Sequence, residues 1–196
     1  MFQSFHVSQK SNKKILALAL DILESQISQA LVKKPNAIVF DIDGTAIYNN
    51  VLGGHRQNGN LFSLYQYALK HNVAIFFLTA RPDTVENREY TVNDLKKSGY
   101  TDYVQLIMRP ESDITRDPFN YSVYKCARRM EINTTHNLLM SVGDTLLDMT
   151  VCVGQDYTPL NPHHSIVKNL DRNMAYVLVL QNAVPRINIK LKEEKK

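Results

Sequence analysis

Apolar residues recur every three or four positions from Lys13 to about Lys33, at Leu16, Leu20, Leu23, Ile27 and Leu31. That spacing predicts an amphipathic helix. Pro35 and Asn36 break it, and Ala37-Ile38-Val39-Phe40 then reads as a strand buried on both faces. Residues 46–60 are dense in Asn and Gly and predict a turn-rich flap. Leu61 to about Lys70 predicts a helix. Val73–Leu78 is a second continuous apolar run, ended by Thr79-Ala80-Arg81-Pro82. A helix is expected from about Asp83 to Lys97, stopped at Ser98-Gly99. Tyr103–Met108 predicts a third strand and residues 109–118 a polar loop. Asn120 to about Met130 reads as a helix, and Leu138–Val142 as a fourth strand ending in Gly143-Asp144. A short helix from about Leu146, a short strand at 158–160 and an extended piece at Ala175–Leu180 follow. Strands alternating with helices predict an α/β domain with a mainly parallel sheet. The chain divides into an N-terminal segment (1–34), a central α/β domain (35–182) and a basic tail (183–196).

The first strand ends in Asp41-Ile42-Asp43-Gly44-Thr45. In extended backbone, residues i and i+2 point to the same side, so Asp41 and Asp43 can face one cavity. Gly44 permits a sharp turn, and open parallel sheets bind ligands at the carboxyl ends of their strands. The second and fourth strands also end in polar groups, Thr79 and Asp144. Clustered carboxylates at a strand end suit a hard divalent cation, and a carboxylate can act as a nucleophile towards phosphorus.

Composition changes this picture little. With 196 residues, 44% apolar and 21% charged, the chain suits one soluble globular domain. The net charge of +4 is concentrated at the ends: residues 1–34 and 183–196 carry +3 each, leaving about −2 for 35–182. A basic nucleic-acid groove across the core is therefore not favoured. No apolar run approaches the roughly 18 residues that span a bilayer, so no membrane association is expected. Lys13-Lys14 before Ile15–Leu20 faintly resembles a leader, but Asp21 interrupts it and no cleavage site follows, so secretion is not expected. Cys126 and Cys152 are the only cysteines. They predict no disulfide framework and point to a reducing, cytoplasmic setting.

Four motifs now stand in order: Asp41 to Thr45, a strand ending in Thr79, a Lys best matched by Lys125 with Lys96 as its rival, and Gly143-Asp144 followed by Asp148. In these the chain resembles the haloacid dehalogenase-like (HAD) superfamily of phosphotransferases. Thr79-Ala80-Arg81, Arg88, Thr91, Asn93, Leu95, Gly99-Tyr100, Tyr124-Lys125, Arg129 and Leu160-Asn161-Pro162 resemble the class B acid phosphatase (subfamily IIIB) branch. The resemblance spans roughly residues 35–165. It implies a Rossmann-like three-layer sandwich. Neither the interval 46–78 nor the interval 80–124 leaves room for a large cap domain.

The resemblance further implies a Mg²⁺-dependent phosphatase that hydrolyses phosphate monoesters, nucleotides among them, through an aspartyl-phosphate. Asp41 would be the nucleophile and Asp43 the acid and base. Asp41, the Asp43 carbonyl and Asp144 would hold Mg²⁺. Thr79, Lys125 and Arg81 would bind the substrate phosphate, with Asp148 supporting Lys125 or a metal-bound water. Two alternatives stay open: a phosphatase of a nucleic-acid end or phosphoprotein, and a non-catalytic storage or scaffold protein. The partner expected is a small phosphate ester; the sequence leaves oligomeric state undetermined.

Overall fold

β1 (Asn36–Phe40) is the centre from which the fold is built. In the computed structural model, which describes residues 9–28, 30, 34–49, 55–113, 118–143, 148 and 176–179, this strand pairs in parallel with β4 (Ala74–Pro82) on one side and β6 (Asn137–Gly143) on the other. β5 (Gln105–Arg109) adds to β4 in parallel, and β7 (Tyr176–Val179) adds to β6 antiparallel. The sheet order is β5-β4-β1-β6-β7. Ala37, Ile38, Val39 and Phe40 are all buried, as an unbroken apolar run at the centre of a parallel sheet requires.

The helices cover the sheet. α1 (Gln9–Ser28) and α2 (Gly59–Lys70) share one core with Ile38, Phe40 and Phe77. α1 contributes Ala19 and Leu23, both buried, so the amphipathic stripe read from the sequence packs on the domain. α3 (Val85–Lys97) is capped by Thr84, whose hydroxyl accepts from the Asn87 amide. Its Leu95 and the following Tyr100 close the same core, where Tyr100 packs edge-on against Phe62, Tyr65 and Phe77. α4 (Pro118–Thr135) places Tyr124 and Ile132 against Ala37, Val39, Phe76 and Leu138, a second core cluster.

Several expectations need adjustment. The flap contains a short antiparallel hairpin, β2 (Ile47–Asn49) with β3 (His55–Gln57), because Tyr48 and Arg56 pair across it. Thr79-Ala80-Arg81-Pro82 does not end its strand: β4 continues to Pro82, which pairs with Arg109 past an irregularity. A proline is tolerated there because its missing donor falls at a break in the ladder. The loop after β5 includes a 3₁₀ turn at Glu111–Asp113. Cys126, buried on α4, is disulfide-bonded, against the expectation of reduced thiols; sequence separation carries no measure of distance in a fold. Cys152, the short helix from Leu146 and the strand at 158–160 lie outside the described residues. Among the described residues there is no large cap domain, and no helix is long and apolar enough to cross a membrane.

Candidate active site

The loop after β1 is fixed by its own backbone. The Asp41 amide donates to the Val142 carbonyl at 2.8 Å, which locks the end of β1 to β6. Gly44 takes a left-handed φ of 73°, which glycine adopts without steric cost. Its amide donates to the Ile47 carbonyl at 3.0 Å, and the Ile47 amide to the Ile42 carbonyl at 2.9 Å. Asn58, fully buried, ties this turn to α2. Its side-chain nitrogen donates to the Thr45 carbonyl and the Tyr48 hydroxyl, while its oxygen caps the amides of Asn60 and Leu61.

Asp41 emerges from this turn 5% exposed, with both oxygens engaged. Oδ2 accepts from the Thr45 hydroxyl at 2.9 Å. Oδ1 accepts from Lys125 Nζ, which also contacts Asp148. Lys125 is thus a buried cation between two buried carboxylates, reached from α4 across the sheet edge. Burial alone would lower its pKa; the charges of Asp41 and Asp148, with their hydrogen bonds, outweigh that and hold it above its ordinary value of 10.5. Asp148 lies directly over Gly143 at the end of β6. A Cβ on Gly143 would overlap the Asp148 side chain, so the Gly143 position must lack one.

Two contributors carry no role in the sequence reading. Thr45 holds the second Asp41 oxygen. Arg129 is buried one turn beyond Lys125, and its charge acts on Asp148 and Asp41. Burial pushes the Arg129 guanidinium down to about 10, the two carboxylates opposing the shift, so it stays charged at neutral pH. The i, i+4 spacing of Lys125 and Arg129 is a legible signal that both share one helix face. Lys96, the other candidate for the lysine motif, is exposed on α3.

Asp43 is more accessible, with 43% of its side chain exposed. Arg81, expected at the substrate phosphate, grips Asp43 with two parallel bonds, Nε to Oδ2 at 2.9 Å and Nη2 to Oδ1 at 2.7 Å. Burial would lower the Arg81 pKa, but hydrogen bonds and charge from Asp43, then Asp94, raise it. Thr79 is buried beside β1, its hydroxyl accepting from the Arg81 amide at 3.2 Å. Asp144 lies outside the described residues.

For a metal, the donor set is one of oxygens. Asp41 and Asp148 present carboxylate oxygens, the donor type that a hard divalent cation takes. Among the described residues no group of three or more His, Cys, Asp or Glu side chains forms a metal cluster.

A mainly parallel sheet with a buried aspartate at the tip of its central strand, pinned by a lysine from a crossover helix, defines an α/β protein of HAD-like architecture. The chain belongs to the HAD superfamily, subfamily IIIB (acid phosphatase), whose family model matches residues 52–169, more than half of it. That match begins after Thr45, so the Asp41–Thr45 turn lies beyond the matched range. Among solved structures the chain is similar to the class C acid phosphatase from Bacillus anthracis with tungstate bound, at 16% identity and a TM-score of 0.55. It is likewise similar to the class C acid phosphatase from the same organism in a second structure, at 16% identity and a TM-score of 0.54. In both cases 72% of this chain is covered, and the chain spans 66% of the other's length. At that identity the likeness is one of fold. No curated protein matches the chain.

Proposed function

We propose that the protein is a Mg²⁺-dependent phosphomonoesterase that acts on small phosphate esters, nucleotides among them, through an aspartyl-phosphate. The observation that carries this reading is Asp41. It is a buried carboxylate at the tip of the central strand, held at one oxygen by Thr45 and at the other by Lys125. A nucleophile so constrained loses little entropy on reaching an in-line geometry. In the first step an Asp41 oxygen bonds to phosphorus, the ester P–O bond breaks and the leaving oxygen takes a proton from Asp43. In the second, water gives its proton to Asp43 and attacks phosphorus, and Asp41 is released. Lys125 and Thr79 bear on the phosphoryl oxygens, where charge spreads in the transition state. Arg129 adds a second buried cation beneath Asp41 and Asp148, which favours binding of a dianion. Mg²⁺ would be held by Asp41, the Asp43 carbonyl and Asp144, and when bound it neutralises phosphate charge.

The test is a panel of phosphate esters assayed with Mg²⁺, with EDTA, and with Asp41→Asn. Turnover is expected with Mg²⁺, abolished by EDTA and restored by adding Mg²⁺ back. Asp41→Asn is expected to fold and to be inactive. An Asp41→Asn variant with wild-type turnover would exclude the covalent route. A folded, metal-loaded wild type that hydrolyses nothing would favour the scaffold alternative.

A further inference from the structure

Two buried side chains on α3 have no part in the chemistry above, yet they meet it. Thr91 and Asp94 lie one turn apart on the inner face of the helix, 0% and 3% exposed. Arg81 Nη1 donates to Thr91 Oγ1 at 3.0 Å and to Asp94 Oδ2 at 3.2 Å. The same guanidinium holds Asp43 through Nε and Nη2. The Tyr90 ring lies 5.6 Å from its central carbon. Both Nη1 hydrogens are thus committed to α3 and the opposite edge of the fork to Asp43. A guanidinium is planar and its donors are fixed relative to one another. Fixing one edge therefore fixes the direction of the other.

We propose that Asp94 and Thr91 are positioning residues of the active site: they set the plane of Arg81, and Arg81 sets the Asp43 carboxylate towards the leaving-group oxygen. Neither touches substrate, since both are buried. Asp43 needs such a strut. It sits on a turn with 43% of its side chain exposed, so nothing in its burial holds one rotamer. A proton donor that wanders loses the advantage of a fixed geometry. Asp94 in turn needs a partner, because a buried carboxylate is costly unless paired. The inference rests on the reading of Asp43 as the acid that protonates the leaving oxygen while the Asp41–phosphorus bond forms and the ester bond breaks.

The experiment compares kcat/KM for two substrates, 4-nitrophenyl phosphate and propyl phosphate. Nitrophenolate departs without a proton, whereas propoxide must be protonated as it leaves. General acid catalysis contributes roughly 10²–10⁴-fold, so loss of its alignment is expected to show chiefly on the alkyl ester. Asp94→Leu, which removes the acceptor, is expected to lose about tenfold or more on propyl phosphate and less than about twofold on the aryl ester. Asp94→Asn, which keeps an acceptor oxygen, is expected to recover most of that loss. Thr91→Val is nearly isosteric and guards against a folding failure at Asp94; a smaller loss with the same substrate bias is expected. Equal losses on both substrates in Asp94→Leu and Thr91→Val, or no loss, would overturn the proposal. Asp43→Asn separates the two claims. If it shows the alkyl bias and the α3 variants do not, the positioning role alone fails. If it shows no bias, the reading of Asp43 as acid fails and the proposal falls with it.

Discussion

At the scale of single residues, the site turns on one ammonium group. Lys125 is enclosed with Asp41 and Asp148, so replacing it takes the bridging cation from two buried carboxylates. Lys125→Met is expected to cost about 3–5 kcal/mol of stability, the usual penalty for breaking a buried ion pair from one side. The pH dependence follows from the raised pKa. A base whose folded value lies above its unfolded value contributes fully below the latter, and the contribution fades as pH rises through the former. The stability gap between wild type and Lys125→Met, read from urea midpoints, is therefore expected to stay level up to pH 10.5 and to shrink only above it. A gap already closing between neutrality and pH 9 would contradict this. Asp41, Asp43 and the turn at Gly44 were legible from the Asp-x-Asp-Gly-Thr run, although the strand itself ends at Phe40 and no period of two continues past it. Lys125 was legible only through motif order; on composition alone a helical lysine reads as surface. Arg81 was legible as a site residue, but its partner was not, since a sequence does not say which of two nearby anions a guanidinium will grip. Gly143 was legible as part of a motif. Its steric reason, the Asp148 side chain lying over it, is visible only in three dimensions.

At the scale of elements, one asparagine joins the turn after β1 to a helix. Asn58 caps α2 and at the same time holds the Thr45 carbonyl and the Tyr48 hydroxyl. Asn58→Ala is expected to cost about 2 kcal/mol or more, because a lost cap and an unsatisfied buried carbonyl act together. Thermal denaturation gives the check; a midpoint within one degree of wild type would mean that the turn finds other partners. Among the described residues the four parallel strands and four helices were read with ends up to five residues off, since buried runs and periodic stripes are the strongest signals a sequence carries. The hairpin within the flap was missed. Its pairing residues, Tyr48 and Arg56, sit among so many Asn and Gly that turn chemistry hides the short strands. The extension of β4 to Pro82 was missed for a related reason. A proline reads as a stop, and only the neighbouring strand shows where its absent donor would have gone.

At the scale of the whole molecule, the disulfide at Cys126 bears on Lys125, its neighbour on α4. Losing a native disulfide typically costs about 2–5 kcal/mol. A thiol reductant is therefore expected to lower the thermal midpoint, and the unreduced, denatured chain is expected to show no titratable thiol. Two thiols per chain in that assay would show that the bond does not form in solution. The sheet carries a further consequence through β7. This strand flanks β6 from residues 176–179, more than thirty positions after β6 ends. During synthesis, then, β1, β4, β5 and β6 leave the ribosome before the strand that covers the outer edge of β6. Until β7 is made, that edge offers open amides and carbonyls to any passing strand. A nascent chain stalled there is the species most exposed to mispairing with its neighbours on a polysome.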